Sequence, residues 1–532
     1  MPDRDAINTV LSYHSATKHH FHRYAPGPGH LDWATQPEPF RQYAGAPVLA
    51  LEIPDLQQEP SGWQVPAPFD AHSVSRLFFN ALAISAWKQA GDNRWALRVN
   101  PSSGNLHPTE GYLLSGPIPG LADEPALYHY APDRHALERR ATFSPQSWAG
   151  FAAGWQPGTL FVGFSSIPWR ESWKYGERAF RYCNHDAGHA LAALAISAHL
   201  LRWHASLVDH LATADLQRLL GLNQSSQAEP EWAETLVAIS PAPIGESRLV
   251  EAKTMLSALS AGAWQGNPNQ LGPSWIDWPL IAGAVQAAKK PAASAPFQPE
   301  PSQPNDSPSG TREPVYPPKL IHQRRSATAM DERVWMNCAA FWDLLGQTLP
   351  AQPVFSLLPW SFTNLVFFVH RVREMAPGLY ILVRNPRQLP SLKLALRPGF
   401  AWEKPSSCPS SLPFYRLQTA DSQETARLIS CHQEIASDGC FSLAMVAEFE
   451  EPITRLGAWM YPRLYWECGM IGQILYLAAE KIGLRGTGIG CFFDDAMHQL
   501  LGLESQQFQS LYHFTVGSPL EDHRLTTLPP YS

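Results

Sequence analysis

The feature that most constrains this chain is that it repeats itself. Residues 467–503, ECGMIGQILYLAAEKIGLRGTGIGCFFDDAMHQLLGL, read as a buried helix, a glycine-rich loop and a short helix. Residues 186–222, DAGHALAALAISAHLLRWHASLVDHLATADLQRLLGL, give the same order and the same LLGL ending. In the later copy Ile471, Ile474, Leu475, Leu477, Ala478 and Ala479 fall at helical spacing, and Gly483 supplies a stop. Asp494, and Thr213 in the earlier copy, stand where each short helix needs an N-cap. The next stretches also correspond: TLVAISPAPIGESRL (235–249) and YHFTVGSPLEDHRL (512–525). Similarity at a fixed offset across helix, cap, strand and terminal arginine predicts two copies of one domain.

The copies differ at one place. Gly486, Gly488 and Gly490 free the backbone of the later copy for close approach, whereas no glycine lies between Gly188 and Gly221. At 532 residues, 45% of them hydrophobic, the chain can build more than one sizeable core. Residues 289–318 are rich in proline and serine without apolar periodicity, and mark a linker between domains at 1–288 and 319–532. An N-terminal arm fills 1–72, and 73–90 read as one amphipathic helix ending before Gly91. The arm histidines 14, 19, 20 and 22 have no cysteine or paired carboxylate to complete a metal set, so a polar arm is the expectation.

Two further segments carry possible chemistry. PSSGNLHP (101–108) brackets hydroxyls, an amide and a glycine between prolines, either to meet an acceptor-rich flat ligand or as serines capping their own loop. HQRRSATAMD (322–331) offers two arginine forks and a serine, suited to a phosphate or to solvent. LPWSFTNLVFFVHRV (358–372) stands where the hydroxyl-rich loop stands in the first copy, with most of its polar residues gone. Each copy lacks what the other keeps. A site made once, between the copies, explains this economically.

These segments together resemble the nitroreductase-like FMN enzymes. PSSGNLHP is similar to their PSxxNxQP loop, HQRRS to their Arg-Arg-Ser phosphate motif, and GLRGTGIGCFFDD with LLGL to their C-terminal signature. The resemblance covers most of both halves. It is nearest to the branch that includes azoline (thiazoline/oxazoline) dehydrogenases, here as a fused pseudo-dimer. It implies an α+β fold of two tandem domains, each a mostly antiparallel sheet packed by helices, with FMN bound by residues of both. By match, Arg324, Arg325 and Ser326 would hold the phosphate, with Arg524 as a further phosphate arginine. Pro101, Ser102, Ser103 and Asn105 would meet the ring and ribityl chain, Gly488, Ile489 and Gly490 would offer backbone amides, and Arg485 is a further ligand candidate. Lys174 and Tyr175 in WKYGERAFRY match the Lys-Tyr pair of the azoline branch, where a base removes a proton as the flavin takes a hydride; a packed tyrosine beside a salt-bridged lysine is the alternative. Cys491 is read as a small packed thiol.

The function expected is therefore FMN-dependent oxidation of a small or peptide-derived heterocycle. An NAD(P)H-dependent nitro or quinone reductase, and a flavin- or partner-binding scaffold without turnover, are the competing readings. A net charge of −7 without a long basic run argues against a nucleic-acid partner. No uninterrupted apolar run of membrane-spanning length and seven irregularly spaced cysteines point to a reducing cytoplasm and no metal site.

Overall fold

The two long helices predicted by the repeat cross at two glycines. In the computed structural model, which describes residues 2–57, 65–223, 229–244, 253, 256–257, 264–273, 275–292 and 316–531, α5 (Ala179–Leu200) packs against its counterpart in the second half, Met460–Lys481. A Cβ on Gly188 would collide with the carbonyl oxygen of Trp466, and one on Gly469 with that of His185. Gly188 and Gly469, like His185 and Trp466, are equivalent in the repeat. The crossing is therefore an internal pseudo-two-fold contact, and only glycine lets the backbones meet there.

Around this axis each half builds the same sheet. Short strands β1 (Tyr43–Ala44) and β2 (Val48–Ala50) and helix α2 (Ala71–Leu82) precede β3 (Ile84–Ala90) and β4 (Asn93–Arg98). Then come β5 (Thr109–Ser115), β6 (Ala126–Ala131), β7 (Ala136–Thr142), β8 (Leu160–Ser166), β9 (His204–Leu207) and β10 (Trp232–Ser240). After the two-residue β11 (Asn267–Pro268), the second half gives β12 (Thr363–Val369), β13 (Gly378–Leu382), β14 (Phe414–Thr419), β15 (Phe441–Glu448), β16 (Arg485–Ile489) and β17 (Phe508–Gly517). The first sheet runs β2-β7-β6-β5-β8-β10-β9 and the second β14-β13-β12-β15-β17-β16. Except for the extra edge strand β2, the orders match strand for strand, with every pairing antiparallel. The fold is α+β with two such sheets, one per half.

The halves also exchange their ends. Helix α1 (Arg4–Ala16) and the arm after it reach the second half, where buried His14 meets Tyr465 and Gln509, and Lys18 pairs with Asp495 at 2.8 Å. In return β18 (Thr526–Leu528) joins β3 and β4 in a three-stranded sheet, and the Tyr531 hydroxyl accepts from the amide of Ile84 at 3.0 Å.

Several sequence expectations are corrected here. The helix expected over 73–90 stops at Leu82, and Ile84–Ala90 is a strand. Pairing with β4 and with β18 from the far end of the chain overrides its helical periodicity. The glycine-rich loop is strand β16, bonded along β17, and its glycines have no left-handed torsions. They are needed for space instead: a Cβ on Gly488 would strike the Tyr512 hydroxyl, and one on Gly490 the Tyr182 ring. Neither expected cap forms. The Thr213 hydroxyl accepts from the Lys290 amide beside α6 (Thr213–Leu219). The buried Asp494 carboxylate holds Arg178 at 3.0 Å and Arg181 at 2.7 Å. Most of the 289–318 linker and the arginine of 235–249 lie outside the described residues. Among the described residues no helix is long and apolar enough to cross a membrane.

Candidate functional site

Where the first half's turn meets the second half's strand β16, the structure holds a cavity of about 470 Å³. Its wall takes Pro101, Ser102, Ser103 and Asn105 from one half and Arg324, Arg325, Ser326, Arg485, Gly488, Ile489 and Gly490 from the other. Tyr175 lines it too. Two predicted residues do not: Lys174 and Arg524. Arg524 is exposed and forks onto Asp522 at 2.7 Å, two residues away, so its charge is spent at the surface. Lys174 stands behind Tyr175, its Nζ 5.4 Å from that ring's centroid and 5.9 Å from that of Trp33.

One end of the cavity is cationic. Arg324 is buried and its Nη2 donates to the Arg98 carbonyl at 3.0 Å, while its Nε has no hydrogen-bond partner among the described residues. Arg325 Nη1 reaches the His322 carbonyl at 2.8 Å and Ser85 Oγ at 3.3 Å. Burial and then the neighbouring Arg324 hold the Arg325 guanidinium down at about 10. Burial and then Arg325 likewise lower Lys88. Arg485 finds Glu521 at 2.6 Å, and Ser326 Oγ donates to the Tyr476 hydroxyl at 3.0 Å. Cations that disfavour one another's charge beside a buried unpaired N–H make a strong place for a phosphate.

The opposite wall is a proton-handling cluster. The turn Ser103–Asn105 is held by Gly104 and Asn105 at φ 59° and 60°, a region glycine and asparagine tolerate. Ser102 Oγ accepts from the His107 amide at 2.8 Å, and Asn105 Nδ2 donates to the Ala96 carbonyl at 2.9 Å. The self-capping interactions and the cavity wall are thus made by the same residues. Ser103 donates its amide and hydroxyl, both at 3.1 Å, to Asp186 Oδ1 in the first turns of α5. Burial raises the Asp186 carboxyl to about 7 in spite of these bonds. Beside it, Glu171 of α4 (Pro168–Tyr175) is buried and pushed well above its usual range, by desolvation first and then by Asp186. Burial and Glu171 also raise the Tyr175 phenol, so it stays protonated. Its hydroxyl packs over the turn, where a Cβ on Gly104 would stand 2.5 Å away.

Sequence reasoning missed Asp186, Glu171 and Tyr182. The first two look like ordinary helix residues, and only the fold reveals that water is excluded from them. Cys491 is corrected as well. Hydrogen bonding to Cys431 and then to His19 outweighs burial and depresses its thiol well below the ordinary value.

A cavity of this size falls within the range that holds a flat cofactor with part of its substrate. The residues fit FMN on three counts: a cationic end with an unpaired buried donor, glycines that clear one wall, and polar groups at the far end.

Residues 415–518, in the second half, match the model of the Nitroreductase family. Over 96% of its length the chain resembles a protein of Anabaena variabilis described as a candidate nitroreductase, covering 99% of that chain at 22% identity and a TM-score of 0.70. That likeness is one of fold, and it spans both halves. Two weaker structural likenesses have TM-scores of 0.28 and 0.22. One is to the Escherichia coli microcin synthetase McbBCD complex, at 17% identity over 46% of this chain and 95% of that one. The other is to an FMN-dependent nitroreductase of Clostridium difficile, at 11% identity over 38% and 86%. No curated protein matches the chain in sequence.

Proposed function

We propose that this chain is an FMN-dependent oxidoreductase that binds one flavin across its two halves and dehydrogenates a small or peptide-derived heterocycle. The observation that carries the reading is a cavity of about 470 Å³ with a cationic end from the second half and an Asp186–Tyr175 wall from the first. Arg324 and Arg325, with Ser326 between them and β16, would hold the phosphate. Pro101, Ser102, Ser103 and Asn105 would face the ring and ribityl chain, and the strand of Gly488, Ile489 and Gly490 would pass close beside them. Bound there, FMN supplies two-electron hydride chemistry.

The chain's own groups then deal with the proton. Asp186, balanced near neutrality, can take a proton or return one at working pH. Tyr175 Oη keeps its proton and offers a hydrogen bond into the cavity. Lys174, outside the wall, places positive charge behind that phenol and beside Glu171. A proton-accepting carboxylate opposite a hydride acceptor is what dehydrogenation of an azoline requires, and it favours that reaction over reduction of a nitro group or quinone by NAD(P)H.

The test is flavin retention in Arg324→Ala/Arg325→Ala. Loss of two charge-assisted contacts at about 1.5 kcal/mol each weakens binding roughly a hundredfold. Unchanged retention would remove the phosphate assignment. With flavin bound, Asp186→Asn should slow substrate-dependent bleaching while leaving retention intact.

A further inference from the structure

We infer that Cys431 and Cys491 form a redox-active dithiol on the cavity wall, in which Cys491 attacks a small organic disulfide and Cys431 resolves the product. The pair is assembled from distant segments and pinned on both sides. The Phe493 amide donates to the Ile429 carbonyl at 2.7 Å, and Gln433 Nε2 donates to the Cys491 carbonyl at 3.0 Å. Between these anchors the two thiols interact directly, and Cys491 faces the cavity. The backbone at Cys431 and His432 takes left-handed torsions of 53° and 60°, which a cysteine adopts only under constraint.

A third residue completes the arrangement. His19, on the arm from the other half, accepts the Ala25 amide at Nδ1 at 2.9 Å, which leaves its Nε2 as the N–H. Its partner is Cys491, and burial keeps the ring neutral, so it donates to a thiolate without competing for the proton. Arg178 adds positive charge to both sulfurs, while Asp494, Tyr24, Tyr175 and Tyr182 are further titratable groups around the pair. Cys431 is held in the opposite state, its thiol raised by the adjoining Cys491 and by burial. Cys491 lines the cavity and Cys431 does not, so Cys491 is the sulfur a small disulfide meets first and Cys431 the one that waits behind it.

The step balances without any cofactor. Cys491 thiolate attacks one sulfur of the small disulfide, a Cys491–S bond forms, and the first small thiolate leaves and takes up a proton from solvent. Cys431 then loses its proton and attacks Cys491 sulfur, which forms the protein disulfide and releases the second small thiolate. The protein dithiol is oxidised and the small disulfide is reduced to two thiols. This inference does not rest on the flavin reading, because every bond involves only the chain and the small disulfide.

The experiment treats the purified full chain with oxidised glutathione and maps its cysteines by mass spectrometry. The expected product is a Cys431–Cys491 disulfide with release of glutathione. Cys431→Ser should arrest at a mixed disulfide on Cys491, and Cys491→Ser should give neither product. Near-UV circular dichroism of each variant verifies that the fold is kept. Independently, at pH 6 Cys491 should alkylate with iodoacetamide at least about tenfold faster than Cys408, since its larger thiolate fraction outweighs the lower nucleophilicity of an acidic thiol. A Cys491 that alkylates no faster than Cys408, or a folded Cys431→Ser chain that forms no mixed disulfide, would overturn the inference.

Discussion

The cavity between β16 and the Ser103–Asn105 turn has a counterpart on the other side of the pseudo-two-fold axis, and the two have opposite fates. The first is an open cavity of about 470 Å³, whereas in the second the side chains of the wall pair with one another. At the repeat position of Tyr182 the second cleft carries Arg463, whose guanidinium stacks over Trp459 at 4.3 Å and Trp466 at 5.2 Å. Asp209 bridges Arg463 at 2.6 Å and Lys290 at 3.0 Å, and Lys290 itself lies over Trp459 at 4.5 Å. The charges that would meet a ligand there are paired within the protein and stacked on tryptophan rings. Asp186 and its repeat partner Glu467 differ in the same way. Both carboxylates hold the amides of an equivalent turn, but Glu467 also pairs with Arg384, whereas Asp186 faces the open cavity. One scaffold has been used twice, once to hold a ligand and once to hold itself together.

Substitutions at the shared axis should affect both clefts and have the largest effect. Gly469→Val drives a side chain into the His185 carbonyl, which should cost about 5 kcal/mol or more and leave little folded chain. A melting curve like that of the parent would contradict the crossing. Next in size is the carboxyl of the open cleft. Asp186 has its value raised above that of the unfolded chain, so it favours the folded state fully below about pH 4, and that contribution is lost as pH rises through about 7. Cofactor-free chain should lose on the order of 4 kcal/mol across that interval through this group, and Asp186→Asn should flatten the dependence in denaturant titrations.

In the filled cleft, Arg463→Ala leaves Asp209 with Lys290 as its remaining cation and should cost about 2 kcal/mol of stability without altering flavin content. A second flavin bound by this variant would mean that packing alone had closed the site. The smallest effect belongs to Arg524→Ala: the residue is exposed and engaged only with Asp522, and neither melting nor flavin retention should change measurably.

This contrast shows which parts of the protein were legible beforehand. The repeat, its sheets and the meeting of the 101–105 turn with Arg324–Ser326 could be anticipated, because apolar periodicity and paired motifs are written in local sequence. Ile84–Ala90 could not, because its strand depends on partners at Thr526–Leu528. The caps at Asp494 and Thr213 failed for a related reason: long-range partners, two arginines and the Lys290 amide, claimed those side chains. Glu171, Asp186 and the Cys431–Cys491 pair share this limitation, since burial and contact between remote segments give them their chemistry and no spacing records it. Closure of the second cleft was half visible, in the loss of polar residues from 358–372, but Arg463 and the tryptophans that fill it were not.

The most direct measurement is the amount and identity of flavin released when the purified full chain is denatured. One equivalent of FMN per chain is the predicted result, held in the open cleft alone. Two equivalents would contradict the asymmetry between the clefts, and none, after reconstitution with excess FMN, would contradict the cofactor itself.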